Sequence, residues 1–513
     1  MTGKAIDIDG LRTPEEVDMT TSGEFFPTDV AGLARGRSTE VFELADGDEF
    51  DLRIAPVVKQ LGDATARMLA YNGSIPGPTL RVPEGSELVV NVVNEGDLEE
   101  TVHWHGLRLD NRYDGTHLTQ DPIPVGGSFT YRLKFPDPGI YWYHPHVRAD
   151  YGQELGLYGT IIVVPAEADY WPPVNRELAV TLDDVLIEDG KIAPFRRSEA
   201  TFAAMGRFGN VLLTNGETDG FHLAVRRGEV VRFYLTDTAN SRVFRVALPG
   251  ARMKRVGADS GRYERETFVE DVILGPSERV VMDVLFDEPG ELMLEHRTPE
   301  RAYPLARISV ADEQADPSYT SEFERLRGAS ELEAERERLS AYLAAEPDKT
   351  VALVAEMDLP SHGTGGHKHG HGHSHETADD GIEWEDEMLE VNRATTPENV
   401  RWKLVDRATG AEGHAIDWRF RVGDRVKIRV VNEKESDHPM QHPFHVHGAG
   451  RFLILARDGV VEPNLAWKDT VLIPAGQVVD ILLDVTNPGR WMAHCHIPEH
   501  HESGMMFAFD VDA

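Results

Sequence analysis

Apolar and polar residues alternate along most of this chain with a period of two. Runs such as Glu87-Leu-Val-Val-Asn-Val-Val and Val478-Val-Asp-Ile-Leu-Leu-Asp-Val485, bounded by turn residues, predict β-strands. The pattern repeats. Arg81-Val-Pro-Glu-Gly-Ser-Glu-Leu-Val-Val-Asn-Val-Val-Asn-Glu95 is echoed by Arg421-Val-Gly-Asp-Arg-Val-Lys-Ile-Arg-Val-Val-Asn-Glu433 and, between them, by Val225-Arg-Arg-Gly-Glu-Val-Val-Arg-Phe-Tyr-Leu-Thr-Asp237. Later in each unit a Pro-Gly turn separates two strands: Pro138-Gly139, Pro289-Gly290 and Pro488-Gly489. An all-β protein of three Greek-key β-sandwich domains follows. The expected boundaries are an extension over 1–40, sandwiches over 41–167, 168–315 and 349–513, and a charged helical linker over 316–348.

Two segments break the alternation. Ser321 to Ala345 is rich in Glu, Arg, Leu and Ala at helical spacing and predicts an amphipathic linker helix, although a solvated connector fits the same composition. The stretch SHGTGGHKHGHGHSH, Ser361 to His375, is of low complexity and dense in imidazole. His362, His367, His369, His371, His373 and His375 are therefore candidate accessory metal ligands, while a plain loop is the alternative reading.

Composition narrows the classes. At 513 residues the chain can build several cores. A net charge of −36 argues against nucleic acid or an anionic membrane as partner, and no apolar run is long enough to span a bilayer. The N-terminal segment has neither a hydrophobic signal region nor a twin-arginine pair, so a cytoplasmic location is expected. The alternative is a secreted or periplasmic form whose leader has been removed.

The chemistry lies in the histidines and the single cysteine. Cys495 sits in His494-Cys495-His496, with His500 and Met505 just downstream. One thiolate, two imidazoles and a weak axial thioether make a blue-copper site. Alternate strand residues face opposite ways, so His494 and His496 cannot join Cys495 on its own metal; they are placed for a second centre. His103-Trp-His105 and His144-Pro-His146 are two further same-face pairs. In His442-Pro-Phe-His445-Val-His447, parity sets His442 opposite to His445 and His447, which fits His442 beside Cys495. The remaining eight imidazoles suit a cluster of copper ions rather than one. They come from the first and third units, so these two must meet around the cluster with the middle unit as spacer.

The motifs HWHG, YHPH, HPFHVHG and HCHIPEHHESGMM, in this order, resemble the four copper-binding signatures of the multicopper oxidase family, and especially its three-domain bacterial laccase-like and cuprous oxidase members. The resemblance covers nearly the whole chain. It implies cupredoxin-like domains and four copper ions. The type-1 copper would take His442, Cys495, His500 and Met505, and the type-2 copper His103 and His445. One type-3 copper would take His105, His144 and His496, and the other His146, His447 and His494. By motif position Asp114 would supply protons and Cys495 would carry electrons, with Asp110 a weaker relay candidate. His501 stands where the family often has a glutamate, which leaves a second relay open between Glu499 and Glu502.

The activity implied is one-electron oxidation of phenols or aromatic amines coupled to reduction of O2 to water. The thioether ligand points to easily oxidised donors. Oxidation of Cu(I) or another metal ion is the alternative, and Met440 is its candidate substrate contact, with a core role as the competing reading. A non-catalytic copper store is disfavoured by the complete cluster set. A copper nitrite reductase is disfavoured by the His-Cys-His triplet and the three domains.

Overall fold

A computed structural model describes residues 24–358 and 380–513. The strands fall into three successive sets, each a pair of facing sheets, and burial follows the sequence alternation. Glu87–Asn94, for example, buries every second residue. The protein is all-β, built of cupredoxin-like sandwiches.

In the first set, one sheet runs in spatial order Val41–Glu43, Thr79–Pro83, Gly159–Val164, Gly139–Pro145 and Val102–His105. Its partner sheet is Ala64–Tyr71, Glu49–Leu61, Glu87–Asn94 and Ser128–Lys134. The third set repeats this plan. Arg419–Arg421, Met506–Asp512, Gly489–Cys495, His442–Val446 and Thr470–Ile473 form one sheet, and a six-stranded sheet centred on Arg425–Asn432 and Val478–Val485 faces it. Between them, Arg176 to Gln314 form a six-stranded and a five-stranded sheet. Each sandwich closes on its own aliphatic and aromatic core.

The middle set is more than a spacer. Its Ala203, Ala204, Met205 and Phe208 belong to the core of the third sandwich. Part of the segment 24–40 also packs: Phe26 stacks on Tyr151 at 3.8 Å.

The expected single helix over 321–345 is instead three short ones, Thr320–Glu324, Ser330–Arg338 and Ser340–Ala344. Arg325 leaves the first in an extended conformation, which stops it. The connector is not solvated throughout. Leu332 and Leu339 are buried with Leu453, Leu455, Leu465 and Leu482 of the third sandwich, and Arg336 pairs with Glu264 of the middle one. Among the described residues, no helix is long and apolar enough to cross a membrane.

Two short helices matter for the site. Ala149–Glu154 follows the second histidine pair, and Pro498–Glu502 follows Cys495; they pack against each other.

Candidate metal centres

Strand register assembles the histidines. In the first sandwich Val102–His105 pairs antiparallel with Gly139–Pro145, and His103 lies opposite His144. In the third, His442–Val446 pairs with Gly489–Cys495, so that His445 faces His494 and Phe444 faces Cys495. Opposed residues share a sheet face. Cys495 therefore shares the face of Phe444 and His442, while His445 and His494 share the other, as the parity argument requires.

On the first face, Cys495 Sγ lies 3.5 Å from His442 Nδ1 and 3.7 Å from His500 Nδ1, and the two nitrogens are 3.3 Å apart. The centre of such a triangle is about 2 Å from each corner, the length of a metal–imidazole bond. Met505 is fully buried in the same core, and its carbonyl accepts from the Cys495 amide at 3.1 Å. Burial pushes the Cys495 thiol well above its ordinary value. A cation at the centre is what would hold it as a thiolate.

Trp402, which no motif signalled, closes this site. Its ring stacks on His500 at 4.1 Å and meets His442 edge-on at 4.8 Å. Its Nε1 donates to the Ala203 carbonyl at 2.7 Å, and His500 Nε2 lies 3.3 Å from the Ala204 carbonyl. The middle sandwich thus holds the outer wall.

On the second face eight imidazoles converge from the first and third sandwiches. His105 stacks on His445 at 3.8 Å and His103 lies against His447 at 4.1 Å. His146 and His494 are 5.3 Å apart, and His496 is 4.9 Å from His144. Their outward nitrogens have acceptors. His103 Nδ1 donates to the Asp114 carbonyl at 2.6 Å, His144 Nδ1 to the Pro145 carbonyl at 2.9 Å, and His494 Nδ1 to the Cys495 carbonyl at 2.7 Å. His445 Nδ1 donates to the Asp469 carbonyl at 2.9 Å.

Inward nitrogens, by contrast, are orphaned. His103, His144 and His445 at Nε2, His105 and His146 at Nδ1, and His496 at both positions are buried without a partner among the described residues. His447 Nε2 and His494 Nε2 face each other at 2.9 Å. Burial first, then the neighbouring imidazoles, pushes these rings below their ordinary pKa, His103 to about 3. Neutral rings with inward lone pairs and outward N–H donors are what a metal cluster needs.

Three kinds of side-chain grouping are present among the described residues. His442, Cys495 and His500 form one tight set, and His146, His447 and His494 another. His103 and His445 come together, with His447 beside them. His105 and His144 converge with His103 rather than with His496, whose ring is within 5.0 Å of both.

Asp114 is buried, and its Oδ2 accepts from His447 Nδ1 at 2.9 Å. Burial raises its carboxyl to about 6, against the opposing pull of His103 and Thr116. Asp110 does not reach the cluster: it is exposed, paired with Arg112, and caps the turn Asn111–Tyr113. His501, left without a role above, is buried and packs 4.9 Å from His494 and 5.1 Å from His146. Glu499 faces the middle sandwich, taking a bond from Asn240 at 3.3 Å, and burial lifts it to about 8. Met440 has no exposed surface and packs in the core of the third sandwich. The His362 to His375 candidates lie outside the described residues.

A buried triangle of one cysteine and two histidines, joined by one strand to a pocket of eight imidazoles, is a donor set fitted to metal ions. Comparison with known proteins agrees. Two multicopper oxidase family models match residues 56–168 and 382–513. The multicopper oxidase MmcO of Mycobacterium tuberculosis is 28% identical over 486 residues, covering 89% of this chain and 85% of its own. The crystal structure of a multicopper oxidase from Pseudomonas thermotolerans superposes with a TM-score of 0.66 at 25% identity, over 92% of this chain and all of that one. A Campylobacter jejuni multicopper oxidase, described as a metallo-oxidase, shares the fold with a TM-score of 0.66 at 21% identity, over 95% and 99%. Two segments of the chain are thus multicopper oxidase domains, and along its length the chain resembles multicopper oxidases, oxidoreductases that use O2.

Proposed function

We propose that this protein binds four copper ions and oxidises a small reductant at the Cys495 site while reducing O2 to water at the histidine cluster. The observation that carries the reading is the segment His494-Cys495-His496. In it Cys495 lies beside His442 and His500, His494 beside His146 and His447, and His496 within 5.0 Å of His105 and His144, all within one stretch of backbone.

His442, Cys495, His500 and Met505 would hold the type-1 ion, and His103 and His445 the type-2 ion. His105, His144 and His496 would hold one type-3 ion, and His146, His447 and His494 the other. Copper held by these residues would supply one-electron redox chemistry between the donor and O2. The protein supplies position and protons. Asp114 holds His447 through its carboxylate and His103 through its carbonyl, and it is the group we assign to proton supply at the cluster. Trp402 and the Ala203–Ala204 carbonyls keep water from the thiolate and fix the His500 ring.

The donor in this reading is a phenol or aromatic amine. One observation favours a metal ion as a second reading. His438 Nε2 lies 3.0 Å from Met205 Sδ, beside Trp402, so an imidazole and a thioether meet at the outer wall of the thiolate site. Steady-state O2 uptake by the copper-loaded protein with a phenol and with Cu(I), side by side, decides between them. Metal analysis finding about four coppers per chain supports the oxidase. One copper and no O2 uptake would leave a simple blue-copper protein.

A further inference from the structure

One buried ion cluster sits where all three sandwiches meet, and no copper signature contains it. Arg279 of the middle sandwich is fully buried. Its Nη1 and Nη2 clamp the Asp469 carboxylate at 2.6 and 2.5 Å, a two-pronged pair that fixes the carboxylate's rotation as well as its place. Its Nε and Nη1 also donate to the Ile140 and Ser277 carbonyls at 3.1 and 3.0 Å.

Asp469 in turn touches the cluster. Its Oδ1 takes a bond from His105 Nε2 at 2.9 Å, and its carbonyl takes one from His445 Nδ1 at 2.9 Å. The neighbouring Thr470 Oγ1 lies 3.0 Å from His105 Nε2 and 3.1 Å from His445 Nδ1. His105 differs in this respect from His103, His144 and His445, whose orphaned nitrogen is Nε2. Its Nε2 is the tethered atom and its Nδ1 the buried nitrogen without a partner. Which nitrogen faces the cluster is thus set by the place of Asp469.

Gly106 gives an independent sign that the chain makes room for this clamp. A Cβ there would stand 2.4 Å from Asp469 Oδ2 and 2.8 Å from Arg279 Nη2, and the residue has φ +85°. The glycine after the first histidine pair is required by the ion pair behind it.

We propose that Arg279, from the sandwich that supplies no copper ligand, is a positioning residue for the copper cluster, acting through Asp469 on His105 and His445. The proposal rests on the cluster reading above. Removing a partner that orients a metal-ligating histidine typically costs about 10–100-fold in metal affinity.

The test is retention of copper by the holoenzyme during dialysis against a chelator. The blue absorption of the thiolate site serves as internal control. Arg279→Met should release cluster copper at about 10–100-fold lower chelator concentration, with the blue band unchanged. Arg279→Lys should restore little, because a point charge cannot grip both oxygens. Arg232→Met is the structural control. Arg232 is an equally buried arginine of the same sandwich, and its bonds go to Asp283 at 2.8 and 2.9 Å, to Glu177 and to the Pro172 carbonyl. This variant should keep the cluster copper even if thermal stability falls. Should Arg279→Met not fold, Asp469→Asn, which keeps the side-chain size, is read in the same way. Wild-type retention in Arg279→Met or Asp469→Asn overturns the proposal, as does equal loss in Arg232→Met. Wild-type protein that binds only one copper overturns the cluster reading itself.

Discussion

Asp114→Asn takes one ionisable group from the cluster wall and almost no volume. The carbonyl of residue 114, which accepts from His103 at 2.6 Å, is untouched. The amide oxygen of Asn can still face His447 Nδ1, where Oδ2 now stands at 2.9 Å. The rings therefore stay in place and the loss falls on proton supply. Positioned general acid–base groups contribute about 10²–10⁴-fold, or roughly 3–5 kcal/mol of barrier at about 1.4 kcal/mol per tenfold. The structure also says where the effect must not appear, since Asp114 contacts none of His442, Cys495 and His500. The assay is stopped-flow in two halves. Bleaching of the blue band by a donor without O2 should match wild type. Recovery of the band on mixing with O2 should slow by about 10²–10⁴-fold. Recovery at wild-type speed would refute the assignment and shift attention to His501, Glu499 and Glu502. Equal slowing of both halves would show general damage and not loss of a relay.

Two further outcomes follow from the thiolate site. Cys495→Ser removes the only thiolate, so the protein should be colourless and keep about three coppers by metal analysis; a variant that stays blue contradicts the ligand set. Trp402→Ala deletes a buried indole that backs His500 and bonds Ala203. Chemical denaturation of the apoprotein should show a loss of about 3–5 kcal/mol, and unchanged stability would mean that this ring does not hold the wall.

Strand parity made much of the site legible in the sequence. A period of two decides, within each segment, that His103 and His105 share a face and that Cys495 turns away from His494 and His496. Repeated units with Pro-Gly turns disclosed the sandwiches for the same reason, since short-range alternation reflects which face meets a core. The order of the motifs carried the ligand set through family resemblance.

Parity stops at the end of each strand. That His445 lies across from His494, or that His105 stacks on His445, depends on register between segments far apart in the chain. The clamp of Arg279 on Asp469, the indole of Trp402 over His500 and the packing of His501 on His146 left no local signal. A lone charged or aromatic residue in a strand looks the same in a sequence whether it meets solvent or a partner. The sequence by itself determined the strands, their faces and the donor atoms. The tertiary structure alone decided what stands behind those donors. Burial at the junction of three sandwiches makes an unpaired charge or a loose imidazole costly, and only the packed fold shows which distant residue answers it.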